Sequence, residues 1–113
     1  MVKIHFWQEK DNGTIHLKVQ GHANTAPAGQ DLVCSAATML VYTVAQSMQF
    51  MWEIGQLEEK PKVKIRNGKA IVIARPKKKF YADALHAFWT AQCGAHVLSC
   101  NYPEAVSLNH LTM

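Results

Sequence analysis

Residues 62–75 read KVKIRNGKAIVIAR. Val63 and Ile65 alternate with Lys62, Lys64 and Arg66, Asn67-Gly68 follows, and an apolar run returns from Lys69 to Arg75. Alternation with a period of two sends successive side chains to opposite faces of a strand, and Asn-Gly tolerates the positive φ angles of a tight two-residue turn. The stretch predicts a β-hairpin, which Pro76 ends.

The same pattern occurs upstream. Val2, Ile4 and Phe6 alternate with Lys3, His5 and Trp7, and Ile15, Leu17 and Val19 alternate with His16, Lys18 and Gln20, with Asp11-Asn12-Gly13 between the two runs. Between the hairpins, residues 21–30 are small and include Pro27 and Gly29, which predicts a loop. Asp31 is placed to cap a long helix over residues 32–54, with Gly55 as its stop. Beyond Pro76, helical spacing of Tyr81, Leu85, Phe88, Trp89, Ala95 and Leu98 predicts a second helix over residues 78–100. Gln92 is a polar exception in that series, and Gly94 is expected to weaken the helix locally. Pro103 closes the segment, and residues 105–109 read as a last short strand. The order β-β-α-β-β-α-β predicts an α+β fold, one domain over residues 1–113, with two helices against a mostly antiparallel sheet.

The chain has 113 residues, 49% of them apolar, enough to build one modest core and too apolar for a disordered chain. A net charge of +4 does not by itself argue for nucleic-acid binding. Three cysteines, with no CxxC pair and no basic-then-apolar leader after Met1, point to a reduced, cytoplasmic compartment. Residues 32–52 carry no charge and have the length of a membrane span, but Ser35, Thr38, Thr43, Gln46, Ser47 and Gln49 are spread through them. A buried helix of a soluble domain is expected, and no membrane partner.

The chemistry is concentrated in Gly21-His22-Ala23 and Gly29-Gln30-Asp31-Leu32-Val33-Cys34. With Asp31 as cap, Cys34 falls in the first helical turn, where free N–H groups and the helix dipole favour a thiolate. His22 begins a loop long enough to return its imidazole to the sulfur. A Cys–His pair with N–H groups at hand is the minimum set for acyl transfer. On spacing alone, a small core cysteine and a turn histidine give the same pattern.

The continuous stretch from Gly21 to Ala36, GHANTAPAGQDLVCSA, resembles the signature of the ribosomal-processing cysteine protease family, Prp: Gly-His-Ala, a short loop, then Gly-x-Asp-x-Val-Cys and a small-residue helix start. The resemblance implies a cysteine endopeptidase that trims a short N-terminal extension from large-subunit ribosomal protein twenty-seven, beside aromatic residues. Phage capsid or scaffold proteins are the alternative substrates. It implies Cys34 as nucleophile and His22 as base, with Asp31 and Thr38 in support and Ala23, Asn24, Thr25, Ala26, Pro27, Ala28, Gly29 and Gln30 as the substrate loop. Asn24-Thr25 stands where the family usually has Gly-aromatic, and Ala37-Thr38 where it often has Val-Ser. No cofactor or metal is expected.

Cys93, His96 and Cys100 share a helix face at zinc-compatible residue types, but no fourth ligand is placed, and ordinary packing is the expectation. Lys60, Lys62, Lys64, Arg66, Lys69, Arg75, Lys77, Lys78 and Lys79 hold most of the positive charge. They read as a solvated hairpin face, or as a weak docking surface for ribosomal RNA, although no RNP-type motif or aromatic platform is legible. Met39, Met48, Phe50, Met51 and Trp52 spread apolar surface around the first helix, more than one sheet can cover. A homodimer follows as an expectation, in keeping with the family. The contrasting reading is a non-enzymatic, ribosome-associated module that binds RNA or protein, with Cys34 and His22 structural.

Overall fold

The computed structural model describes residues 1–22 and 31–111. Its elements run β1 (Val2–Gln8), β2 (Ile15–Gln20), α1 (Leu32–Glu53), β3 (Lys62–Arg66), β4 (Lys69–Ala74), α2 (Tyr81–Asn101) and β5 (Val106–Asn109), with a 3₁₀ turn at Lys78–Phe80 leading into α2. The predicted order holds. The five strands form one sheet in the order β3-β4-β2-β1-β5.

Both hairpins form as the alternation predicts, and β2 pairs antiparallel with β4 to join them. Among the described strands only β5 runs parallel to its neighbour, β1, an arrangement that the long crossover through α2 permits. The alternation decides which face is buried. Val2, Ile4 and Phe6 of β1, Ile15 and Leu17 of β2, and Ala70, Val72 and Ala74 of β4 are buried. They meet Val33, Ala37, Val41, Val44 and Met48 of α1 and Ala84, Phe88, Ala91 and Ala95 of α2. Both helices lie on that one face. The opposite face of the sheet is not covered by any described element.

Three sequence expectations change in the structure. Gly94 does not interrupt α2, which runs through it. A Cβ there would sit 2.8 Å from Leu40 Cδ2, so the glycine is where α1 and α2 approach closely. Trp89, placed on the apolar series, is 37% exposed, whereas Gln92 is buried. The Gln92 amide donates to the Leu111 carbonyl at 3.0 Å and its oxygen accepts from the Leu111 N–H at 2.5 Å, which pins the chain after β5 onto α2. Cys93 and Cys100 are exposed, not packed. Cys100 Sγ lies 3.6 Å from His96 Nε2, and among the described residues no three such side chains converge as metal ligands. Among the described residues, no helix is long and apolar enough to cross a membrane.

Candidate active site

Asp31 takes an extended backbone conformation and caps α1, as its position predicts. Its Oδ1 accepts from the N–H groups of Val33, at 3.0 Å, and Cys34, at 3.2 Å. Its backbone carbonyl accepts from Ser35. This overturns one expectation: the Val33 and Cys34 N–H groups are engaged by a carboxylate and are not free to meet a developing oxyanion. The other carboxylate oxygen, Oδ2, accepts from the Cys34 thiol at 3.4 Å. The cap therefore also holds the thiol hydrogen. Thr38, one turn on, donates its hydroxyl to the Cys34 carbonyl at 2.7 Å, so it braces the backbone behind the cysteine.

The backbone of His22 and that of the preceding Gly21 are tied to the strands on either side. The Met1 nitrogen donates to the His22 carbonyl at 2.6 Å, which extends the β1–β2 ladder past the end of β2. The preceding Gly21 donates its N–H to the Gly68 carbonyl at 2.9 Å, which extends the β2–β4 ladder in the same way. Gly21 has φ +99° and a Cβ there would lie 2.3 Å from the Met1 carbonyl oxygen, so this position requires glycine. The ring of His22 rests over the turn between β3 and β4: a Cβ on Gly68 would lie 2.9 Å from Nε2. The Asn67-Gly68 turn thus serves the histidine as well as the hairpin. Sequence reading alone missed this role, because it treated the two hairpins separately.

His22, Cys34 and Thr38 open into one cleft of about 330 Å³ between α1 and the ends of β2, β3 and β4. Val2, Val19, Ala37, Val41, Ile65 and Ala70 line it with apolar surface, and Arg66 and Lys69 stand at the β3–β4 turn. No hydrogen bond joins His22 to Cys34 among the described residues; the thiol hydrogen goes to Asp31 instead. The expected substrate loop, residues 23–30, lies outside the described residues.

The family model for cysteine protease Prp matches residues 1–107. This chain belongs to the Prp family. It is a cysteine protease, and the non-enzymatic reading gives way. The fold agrees with solved Prp structures. A ribosomal processing protease Prp from S. aureus, in complex with a covalently linked product peptide, is 20% identical with a TM-score of 0.72, over 99% of this chain and 100% of that one. The same S. aureus protease in complex with a substrate peptide is 18% identical with a TM-score of 0.66, over 99% of this chain and 100% of that one. SMU.848 from Streptococcus mutans is 21% identical with a TM-score of 0.69, over 100% of this chain and 96% of that one. No curated protein sequence matches.

Proposed function

We propose that this Prp-family protease cleaves a short N-terminal extension from large-subunit ribosomal protein twenty-seven, with Cys34 as nucleophile and His22 as base. The observation that carries this reading is that Cys34 and His22 open into one cleft with an apolar lining. The S. aureus neighbours, described as ribosomal processing proteases with substrate and product peptides, support the substrate class.

In the reaction, the Cys34 thiol gives its proton to His22 and the sulfur attacks the scissile carbonyl. The tetrahedral intermediate collapses when His22 returns that proton to the departing amine. Water, deprotonated by His22, then releases the acyl group and restores the thiol. Asp31 caps the helix that presents the sulfur, and Thr38 braces the same turn. Asp31 must give up the thiol hydrogen before attack, because a carboxylate opposes a thiolate beside it. The apolar lining suits a hydrophobic or aromatic side chain next to the cut.

The protein works in the cytoplasm as a homodimer on this reading, and its positive charge contacts ribosomal RNA weakly. Exposed apolar side chains on the helix layer support the dimer: Leu32, Met39, Tyr42 and Phe50 on α1, and Trp89 and Val97 on α2. Incubation with a peptide carrying the encoded extension, followed by mass spectrometry, tests the assignment. Wild-type protein should give one internal cut, and folded Cys34→Ala and His22→Ala proteins should give none. Cleavage by either variant at the wild-type rate would overturn the assignment.

A further inference from the structure

The sheet face turned away from the helices carries the side chains that alternate with the core. On it, His5, Trp7 and His16 form a continuous strip of rings. Trp7 and His16 stack at 4.5 Å between centroids with planes 10° apart, and His5 lies 4.5 Å from Trp7 at a tilt of 34°. The His16 end is closed, since Nε2 is 2.8 Å from Glu9 Oε2 and the side chain is only 15% exposed. The His5 end is open to solvent.

The strand register places cations around that open end. His5 pairs with Lys18 on one side and with Asn109 on the other, and Lys18 continues through Ile71 to Lys64. The next row runs from Lys3 through Gln20 and Lys69 to Arg66. Lys3, Lys18, Lys62, Lys64, Arg66 and Lys69 therefore share this face, and none of the residues paired with them across the sheet is acidic. The strip of rings is the aromatic platform that the linear sequence hides: His5 and Trp7 are two residues apart, but His16 joins them only through the strand pairing.

We infer that this face binds single-stranded RNA, one base stacking on His5 to extend the ring strip and the flanking phosphates meeting Lys18 and Lys64. Rings with cations on an open sheet are the two elements of sequence-tolerant single-strand binding. An acidic peptide would use the cations and leave the rings without a partner. A duplex keeps its bases stacked internally, so none could reach His5. Asn109, opposite His5, can donate to or accept from a base edge. The choice of RNA over DNA rests on the ribosomal reading above; Arg66 and Lys69 border both this face and the cleft, but the ring strip, Lys18 and Lys64 lie outside the cleft lining and do not need the cleavage reaction.

The test is fluorescence anisotropy of a labelled ten-nucleotide oligouridylate, with the corresponding oligodeoxythymidylate and an RNA duplex alongside, and with peptide cleavage and circular dichroism measured on every variant. Wild-type protein should bind the single-stranded RNA more tightly than the duplex. His5→Ala should weaken single-strand binding about tenfold while leaving cleavage and the fold unchanged. The double variant Lys18→Gln, Lys64→Gln should lower the slope of log affinity against log salt by about 1.4. No binding at low salt, equal affinity for the duplex, or full affinity in folded His5→Ala protein would overturn the inference, even with peptide cleavage intact. Concentration-dependent self-association that His5→Ala abolishes would overturn it in favour of a second copy on this face. Equal binding of the deoxy strand would overturn the choice of RNA and leave the stacking site. Failure of peptide cleavage with RNA binding intact would strike the protease assignment alone.

Discussion

Gly68 has no side chain, and the His22 imidazole occupies the space one would fill. Its φ of +80° disfavours any L side chain, and its missing Cβ would lie 2.9 Å from His22 Nε2. Gly68→Ala should therefore destabilise the protein by about 1–2 kcal/mol and, separately, move the ring. Thermal unfolding would record the first effect, and a fall in kcat for peptide cleavage beyond that seen for a similarly destabilised core variant would record the second. Asp31 permits a sharper division of roles. Asp31→Asn keeps an oxygen for the Val33 and Cys34 N–H groups but removes the negative charge from beside the Cys34 sulfur. The variant should retain most of its stability, and iodoacetamide should label Cys34 several-fold faster near neutral pH. Unchanged labelling would show that the carboxylate does not hold the thiol proton. Asp31→Ala also loses the cap and should cost about 0.5–2 kcal/mol. The capping position of Asp31 and the first-turn place of Cys34 were legible in the linear sequence, because both are local patterns, whereas the pairing of Cys34 with His22 rests on the family resemblance. The occupied N–H groups and the Gly68 contact were not, since each depends on where a side chain turns in three dimensions.

At the scale of the elements, the long helices carry information their periodicity does not show. Gln92 breaks the apolar series of α2 because its amide forms two hydrogen bonds with the backbone of Leu111, itself buried. Gln92→Leu would fill similar space but leave the Leu111 N–H and carbonyl without partners. It should destabilise by about 1–3 kcal/mol, measured by urea unfolding, and hydrogen exchange should quicken at Leu111. Stability equal to wild type would show that water replaces those bonds freely. The strands and helices themselves were readable from residues 62–75 outward because Asn-Gly turns, alternation and capping are all short-range. The parallel placement of β5 beside β1 was not readable: four residues carry too little pattern to choose a neighbour or a direction. Gly94 misled for a related reason. Its helix-weakening tendency is intrinsic, but its use is the close approach to Leu40 on another helix.

The whole molecule is a sheet with helices on one face, a cleft at the strand ends and an open basic face on the other side. The helix layer leaves apolar surface exposed, with Met39 at 63% and Phe50 at 60%. Light scattering at micromolar concentration should give twice the 12.7 kDa chain mass, and the double variant Met39→Glu, Phe50→Glu should give the single chain mass. A wild-type monomer at high concentration would remove the dimer. On the proposed reading, Cys34 forms the covalent bond to the substrate. Intact-protein mass spectrometry during peptide turnover, followed by digestion to locate the adduct, tests it most directly. An acyl adduct of the N-terminal fragment is expected on Cys34 in wild-type protein and none in folded Cys34→Ala protein, which should also fail to cut; an adduct on another residue, or normal cleavage by Cys34→Ala, would rule out Cys34 as the nucleophile.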